Sequence, residues 1–340
     1  MCARHLDKLW HKGKEFLNVP YPIMCGAMTW VSEHNLVSIV SENGAFGVLA
    51  AGNMPPETIA EEIKLTRQKT AKPFAVNLIT IAPNYHQHLD LVCDMKVPYV
   101  IFAGSFPHSH EIKRVKSCGI KTVCFASADS IAQRMMEFGT DALILEGSEA
   151  GGHIGPVSSM VLLQQVLFKI KNIPVFVAGG IATGKMIAHL LLMGASGCQL
   201  GTRFVMSDEC KAHPDFKEMF RKAKARDAVA TPQFDSTLPV VPVRAIKNEG
   251  TARFEKLQFE LLQKIQTGAI TKKDAQFEVE KFWVGALRKA VIEGDVKNGS
   301  VMAGQSVGLV NEIKPIKDII TELVTDAETE VGLLIKRLED

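Results

Sequence analysis

The chain has 340 residues, of which 46% are hydrophobic and 22% are charged, and its 39 basic and 37 acidic side chains leave a formal net charge of +2. This composition excludes an intrinsically disordered chain, and the near balance of charge gives no overall field for binding nucleic acid or an anionic bilayer. No apolar run reaches the ~18 residues of a membrane-spanning helix, and the amino-terminal MCARHLDKLWHKGKEF lacks the apolar core of a secretory signal. We therefore expect a cytoplasmic protein that binds neither nucleic acid nor a membrane.

Short apolar runs, rich in β-branched residues, recur at regular intervals along the amino-terminal part of the chain. Runs of this kind are typical of strands that are buried on both faces, and hence of a parallel sheet. Eight such runs begin near Ile23, Gly47, Phe74, Tyr99, Lys121, Ala142, Pro174 and Gly197.

Helix-like segments separate these runs. Residues 55–70 open with proline and early acidic residues, and residues 127–139 begin with a Ser/Asp cap. A glycine directly precedes several strands, where a helix commonly ends in a left-handed conformation; these are Gly44, Gly119, Gly139 and Gly194. Eight alternations of strand and helix predict a closed (β/α)8 TIM barrel in the α/β class, with an open doubly wound sheet as the structural alternative.

The alternation stops after Thr202. Residues 207–294 are more polar and predict several helices without a strand period, so we expect a smaller, mainly helical inserted domain after strand 8. An insertion at this point would form a lid over the carboxyl-terminal face of the barrel. The barrel domain would then comprise residues 1–206 and 295–340, the second part ending in an amphipathic closing helix.

Seven cysteines are scattered along the chain without a C-x-x-C pair, a pattern that argues against a zinc or iron–sulfur site. We predict no metal ligand set, and we expect most of these thiols to be small core residues. They are Cys2, Cys25, Cys93, Cys118, Cys124, Cys198 and Cys210.

Glycine and small polar residues follow the carboxyl ends of the predicted strands, where barrel active sites lie. Two loops are the most specific: residues 178–184 (AGGIATG) after the seventh predicted strand and residues 199–203 (QLGTR) after the eighth. Loops at these positions commonly bind a phosphate through backbone N–H groups and a helix N-terminus. Neither loop has the Walker A pattern, and no convincing G-x-G-x-x-G is present. These loops predict a phosphorylated ligand, either flavin mononucleotide (FMN) or a sugar phosphate.

Residues 146–155 (EGSEAGGHIG), after the sixth predicted strand, place His153 among glycines at the mouth of the barrel. A histidine can hold or transfer a proton near neutral pH, and the glycines leave room for a substrate beside it. The alternative is a loop histidine that bonds to a backbone carbonyl. Of the other histidines, we expect His189 to lie in an apolar helix and His213 to cap the lid.

Several segments together resemble a known family: EGSEAGGHIG, VAGGIATG, QLGTRFV with AHPDFKE downstream, PVRAIKN and EGDVKNGSVMAGQ. They are similar to the FMN-dependent enoyl-acyl-carrier-protein reductase II family (FabK), within the wider nitronate monooxygenase (2-nitropropane dioxygenase-like) group. The resemblance runs from about Pro22 to Val310. The histidine segment and both glycine loops are common to the group, whereas GSVMAGQ and PVRAIKN resemble the reductase branch.

The resemblance implies one FMN, NADH or NADPH as co-substrate, and a monovalent cation that assists many family members. It makes His153 the catalytic histidine. It places Ala27, Met28, Thr29 and Asn77 at the flavin ring and ribityl, with Glu146 and Gly151 flanking them. It implies that the ribityl and phosphate are held by Gly179, Gly180, Gln199, Gly201 and Thr202. It also implies that Met302 and Gln305 close over the flavin. Two positions depart from the family pattern: Ala27, where glycine is frequent, and Ala75, each of which would add a methyl group near the ring.

The primary functional hypothesis is reduction of trans-2-enoyl thioesters on acyl carrier protein by NAD(P)H, in fatty acid synthesis. The main alternative is oxidation of alkyl nitronates by O2, and a third is a barrel that binds FMN or a phosphate ligand without turnover. An inosine-monophosphate-dehydrogenase-like enzyme would need a nucleophilic cysteine, for which Cys210 is the candidate.

The primary hypothesis also predicts partners. Acyl carrier protein is acidic, so a basic patch on the lid would bind it, although a merely solvated helix face explains the same residues; they are Lys217, Arg221, Lys222, Lys224 and Arg226. Family resemblance also implies a homodimer.

Overall fold

The computed structural model describes residues 5–52, 54–238 and 240–339; Cys2 and Asn53 lie outside the described residues. In chain order the strands are β1 (Ile23–Cys25), β2 (Phe46–Ala50), β3 (Phe74–Ile79), β4 (Tyr99–Ala103), β5 (Lys121–Ala126), β6 (Ala142–Glu146), β7 (Gly152–His153), β8 (Val175–Ala178), β9 (Gly197–Leu200), β10 (Ala228–Ala230) and β11 (Val243–Ile246). Eight of these described strands, all except β7, β10 and β11, form a closed barrel with parallel pairing throughout. The barrel closes where β1 pairs with β9, with Ile23 opposite Cys198. This confirms the predicted (β/α)8 barrel and excludes the open sheet.

The α-helices of the described residues are α1 (Leu6–Leu9), α2 (His11–Leu17), α3 (His34–Glu42), α4 (Pro56–Lys69), α5 (Tyr85–Asp94), α6 (Ser109–Ser117), α7 (Asp129–Glu137), α8 (Ser159–Val166), α9 (Gly184–Leu192), α10 (Thr202–Val205), α11 (Pro214–Lys222), α12 (Glu249–Gln266), α13 (Lys272–Val291) and α14 (Ile316–Glu339). Short 3-10 turns cover Ala225–Asp227 and Gln305–Leu309. Gly44, Gly119, Gly139 and Gly194 have φ values of 84°, 80°, 87° and 106°, as expected for glycines that end helices. Within the described part of the chain, no helix has the length and apolar character needed to cross a bilayer.

The core has two layers. Side chains that point into the barrel, including Phe46, Tyr99 and Phe176, form an interior cluster, while a larger cluster fills the space between the strands and the surrounding helices. The closing helix α14 buries residues at helical spacing, from Ile316 through Leu323 to Val331, as its amphipathic pattern predicts.

The segment that follows the last barrel strand is mainly helical, with α11, α12 and α13. The expectation that it contains no strands is wrong, because β10 and β11 pair antiparallel with each other and β11 pairs with β7 of the barrel loop. The segment also has its own apolar cluster, which includes Val243, Phe254 and Trp283. We call residues 207–294 the lid from here on.

The described cysteines are free thiols, and all except the half-buried Cys118 are buried, as predicted. Burial raises the pKa of the Cys124 thiol to about 12. Cys210 is 3% exposed and burial also raises the pKa of its thiol, so it is unsuited to act as a nucleophile.

Candidate active site

A cavity of about 550 Å³ opens at the carboxyl ends of the barrel strands. The predicted catalytic histidine and all but one of the residues assigned to the cofactor line it: Ala27, Met28, Thr29, Asn77, Glu146, Gly151, His153, Gly179, Gly180, Gln199, Gly201, Thr202 and Met302. The exception is Gln305, which lies in a shallow neighbouring depression with Glu149 and Gly180. The backbone N–H of Gln305 donates to the Glu149 carbonyl at 2.9 Å.

Amide and carboxyl side chains form the polar floor of this cavity. Asn77 Nδ2 donates to the Ile101 carbonyl at 3.2 Å, which fixes the amide in the carboxyl-terminal half of β3. The Gln199 amide lies against the first loop so closely that a Cβ built on Gly26 would be 3.1 Å from its Nε2. Glu146 is half-buried, and its removal from bulk water raises its pKa to about 8. This carboxyl group is therefore mostly protonated at neutral pH and can donate a hydrogen bond.

The loop after β8 has two successive glycines in the left-handed region. Gly179 and Gly180 have φ values of 89° and 73°, which other residues rarely adopt. A Cβ on Gly179 would also lie 3.1 Å from the Gly147 carbonyl oxygen. The loop leads into α9, whose N-cap Thr183 accepts a hydrogen bond from the Met186 N–H at 3.3 Å. A helix N-terminus beside two backbone groups in this conformation favours a phosphate.

One wall of the cavity is apolar. Ile79, Ile101 and Phe125 come from the barrel strands, and Val240 comes from the lid. Phe106 extends this wall at the surface, with the Arg134 guanidinium 5.3 Å from its ring centroid. An aliphatic chain would therefore be shielded from water on this side.

The loop that carries His153 is held by its neighbours on both sides. A Cβ on Gly151 would lie 2.5 Å from the Gly304 nitrogen, so glycine is required where the two segments cross. On the lid side, His153 is paired with Val243 of β11, and the Ile154 N–H donates to the Pro242 carbonyl at 2.9 Å.

Arg244 adds a side-chain link between the lid and the same loop. Its Nε donates to the Ser148 carbonyl at 3.0 Å, and its Nη1 donates to the Ala228 carbonyl at 2.6 Å. The lid therefore holds the histidine loop through both backbone and side-chain bonds.

The ring of His153 contacts a lid carboxylate rather than a backbone carbonyl. Its Nε2 lies 3.3 Å from Oε1 of Glu280 on α13, and both side chains are largely removed from solvent. Sequence reasoning missed Glu280, which is 127 positions away along the chain. No signal distinguishes it from the other acidic residues of that amphipathic helix.

Ala75 and Lys217 lie elsewhere than the sequence suggested. Ala27 lines the cavity, but Ala75 is fully buried in the interior cluster one layer below Asn77, so it adds no methyl group at the cavity. Lys217 is buried and its Nζ donates to the Ser207 carbonyl at 2.6 Å, which removes it from any basic docking patch.

The other predicted basic residues of the lid are exposed, and two of them are paired. Arg221 and Lys222 both contact the Glu218 carboxylate, at 2.6 and 3.0 Å, while Lys224 and Arg226 are exposed beyond α11. His213 caps α11 as expected, its Nδ1 accepting from the Asp215 N–H at 3.2 Å.

Three potential metal ligands, Glu33, His34 and Glu62, come together outside the residues that line the cavity. His34 donates its backbone N–H to Glu62 at 2.6 Å and its ring Nδ1 lies 3.0 Å from the same carboxylate. Lys211 Nζ lies 3.3 Å from Glu33. Ion pairs and hydrogen bonds account for this cluster.

The fold and the cavity define a (β/α)8-barrel enzyme with a lid over a candidate phosphate loop. The chain belongs to the nitronate monooxygenase family, whose model matches residues 11–85 and 79–326. Its relatives are oxidoreductases, and so is this protein.

Two solved structures show the likeness in detail. FabK from Thermotoga maritima superposes with a TM-score of 0.85 at 37% identity, covering 95% of this chain and 98% of that one. Nitroalkane oxidase from Streptomyces ansochromogenes gives a TM-score of 0.77 at 26% identity, covering 93% and 98%.

Curated relatives differ in activity. A "(3aS,4S,5R,7aS)-5-hydroxy-7a-methyl-1-oxo-octahydro-1H-indene-4-carboxyl-CoA dehydrogenase" of Rhodococcus jostii is 28% identical over 94% of this chain and 96% of its own length. A probable nitronate monooxygenase of Staphylococcus aureus is 27% identical, over 82% of this chain and 92% of its own length.

Proposed function

We propose that the protein is an FMN-dependent reductase of trans-2-enoyl thioesters carried on acyl carrier protein, with NADH or NADPH as the electron donor. The observation that carries this proposal is the position of His153, which shares one cavity with a glycine-rich polar floor and an apolar wall. That arrangement suits a planar phosphorylated cofactor, an acyl chain and a proton-transferring group side by side. The similarity to the Thermotoga maritima FabK supports the reductase branch.

The residues present fit FMN. Gly179, Gly180, Gln199 and the N-terminus of α9 would hold the ribityl and phosphate, and the amide of Asn77 would bind the polar edge of the ring. The neutral Glu146 carboxyl group could donate a hydrogen bond to a carbonyl oxygen of the ring. Bound FMN supplies hydride transfer between a nicotinamide and the thioester β-carbon.

The chain's own residues then manage the charge that develops on the substrate. Addition of hydride to the β-carbon places negative charge on the α-carbon and the thioester oxygen. His153 would stabilise this enolate by a hydrogen bond and deliver a proton to the α-carbon, a role worth ~10²- to 10⁴-fold in rate. The apolar wall holds the acyl chain and excludes water from the reacting atoms.

Anaerobic stopped-flow absorbance tests the proposal in two half-reactions. Mixing the yellow protein with NADH or NADPH should bleach the flavin, and subsequent mixing with a crotonyl thioester should restore its absorbance. His153→Ala should slow the second half-reaction by ~10²-fold or more. His86→Ala, which alters an 81% exposed side chain, is the matched control and should not change it. A flavin that nicotinamide does not bleach would refute the reductase assignment.

A second candidate is oxidation of alkyl nitronates by O2. The family model and the staphylococcal relatives favour it. In that reaction His153 would orient the anionic substrate, and no nicotinamide would be consumed. Oxygen uptake on addition of a nitronate, together with failure of NADH to bleach the flavin, would select this function over the reductase.

The proposed partners follow from the reductase. Two residues of the predicted basic patch, Lys224 and Arg226, are exposed and lie beyond the Glu218 pairs of α11. We propose that they contact acidic acyl carrier protein. Wild-type binding of acyl carrier protein that weakens steeply with added salt would support this contact, provided that the binding of Lys224→Ala weakens less steeply. We also propose a homodimer, a cytoplasmic location and a requirement for a monovalent cation. Sedimentation would test the homodimer, and titration of the rate with potassium would test the cation requirement.

A further inference from the structure

Two separate elements of the lid meet at one residue of the barrel. Strand β11 pairs with the backbone of His153 through Val243, and helix α13 brings Glu280 to within 3.3 Å of the imidazole Nε2. Both side chains of this pair are largely buried, with 26% exposure for His153 and 15% for Glu280. The barrel supplies the histidine, but lid atoms hold both its backbone and its ring.

Helix α13, which carries this carboxylate, packs into the apolar cluster of the lid. Val279 and Trp283, on either side of Glu280, are 2% and 1% exposed and pack in the apolar cluster of the lid with Val243. The same cluster therefore fixes the helix that carries Glu280 and the strand that pairs with His153. Rotation of the ring would require movement of this cluster or loss of the hydrogen bond.

We propose that Glu280 is the positioning residue of His153: it accepts a hydrogen bond from Nε2–H and holds the ring so that Nδ1 serves the substrate. The bond to one ring nitrogen determines which nitrogen carries the proton in the neutral ring. With Nε2–H donating to Glu280, Nδ1 of the neutral ring carries no proton. His153 therefore donates to the enolate from Nδ1 of the imidazolium, which the adjacent carboxylate stabilises. The carboxylate acts on the reaction only through the histidine.

This inference rests on the proposed reductase for its substrate, so its test includes a measurement that needs no substrate. The side-chain N–H of His153 can be followed by NMR of the flavin-loaded protein with ¹⁵N-labelled histidine, assigned by its absence in His153→Gln. Wild type should show an exchange-protected Nε2–H signal. Glu280→Ala should lose it, Glu280→Gln should retain it through the amide oxygen, and Glu278→Ala should leave it unchanged. Glu278 is the matched control because it lies on the same helix but is exposed, near Lys281.

Stopped-flow absorbance supplies the functional measurement. In Glu280→Ala, reoxidation of the reduced flavin by the crotonyl thioester should slow by about 10- to 100-fold, as expected for a misplaced catalytic group. Bleaching by NADH, which does not need the histidine proton, should stay within about twofold of wild type, and Glu280→Gln should lie between wild type and Glu280→Ala.

The outcomes separate the two proposals. If the thioester fails to reoxidise wild-type flavin, the proposed function fails while the NMR signal still decides the role of Glu280. A protected Nε2–H that survives in Glu280→Ala overturns the positioning role, as does equal slowing of both half-reactions. Should Glu280→Ala not fold, Glu280→Gln decides through the thioester step alone: an unaltered rate contradicts the contribution of the carboxylate charge.

Discussion

The carboxyl group of Glu146 makes the stability of the flavin-free protein depend on pH in an unusual direction. Its position in the cavity raises the pKa from 4.5 to about 8, because loss of bulk water penalises the charged form. The folded chain keeps this proton in a range where the unfolded chain has released it. The contribution of this group to the free energy of unfolding therefore falls as pH rises from about 4.5 to about 8, and that contribution stays constant above this window.

The magnitude follows from the width of the window. Each pH unit between the two pKa values corresponds to about 1.36 kcal/mol, so the ionised carboxylate costs the folded state at most ~5 kcal/mol. Water entering the cavity lowers this ceiling. We expect Glu146→Gln, which keeps the shape and removes the charge, to stabilise the protein by about 2 to 4 kcal/mol more at pH ~8.5 than at pH ~5.

Urea unfolding of wild type and Glu146→Gln at several pH values, after removal of bound flavin, measures this difference directly. Glu146→Ala is the control, because its loss of packing is the same at every pH and its pH-dependent part should match that of the glutamine variant. A stability difference that stays constant from pH ~5 to pH ~8.5 would show that the carboxyl group is already ionised in the folded protein.

Three further predictions concern the histidine loop, helix α13 of the lid and the buried Lys217. Gly151→Ala places a methyl group 2.5 Å from the Gly304 nitrogen; it should cost about 1–3 kcal/mol and weaken FMN binding, which fluorescence titration would detect. Gly285→Ala, in α13 with no atom within 4 Å of the added Cβ, should instead stabilise by about 1 kcal/mol in urea unfolding. Lys217→Met leaves the Ser207 carbonyl without its donor and should cost about 1–3 kcal/mol. Because Lys217 is buried, the same variant should leave the salt dependence of the proposed binding of acyl carrier protein unchanged. A weaker salt dependence would show that Lys217 takes part in that contact.

The barrel could be predicted because each of its strands carries its own signal. A strand such as β3, which starts at Phe74 as predicted, is buried on both faces, so its apolar run is visible without knowledge of its neighbours. Strands β7 and β10 have two and three residues and gain their pairing only when distant segments meet. No local pattern marks such strands.

Some residues of the candidate site could likewise be predicted from local sequence, whereas others depend on how distant segments pack. Residues at strand ends, such as Asn77 and Gln199, could be predicted because parallel strands bring their carboxyl ends to one face. The misplacement of Ala75 follows from strand geometry: it shares the inward face with Asn77 but lies two positions earlier, one layer deeper in the barrel. Glu280 depends on how the lid packs, which the sequence of α13 does not specify.

The antiparallel ladder between β7 and β11 has a consequence for how reactivity can change within this fold. An exchange of the inserted segment between relatives would transplant the surroundings of the histidine while leaving every barrel residue in place. Chimeras that combine one barrel with several insertions could therefore shift the preferred chemistry of the common scaffold, provided the ladder register opposite His153 is kept.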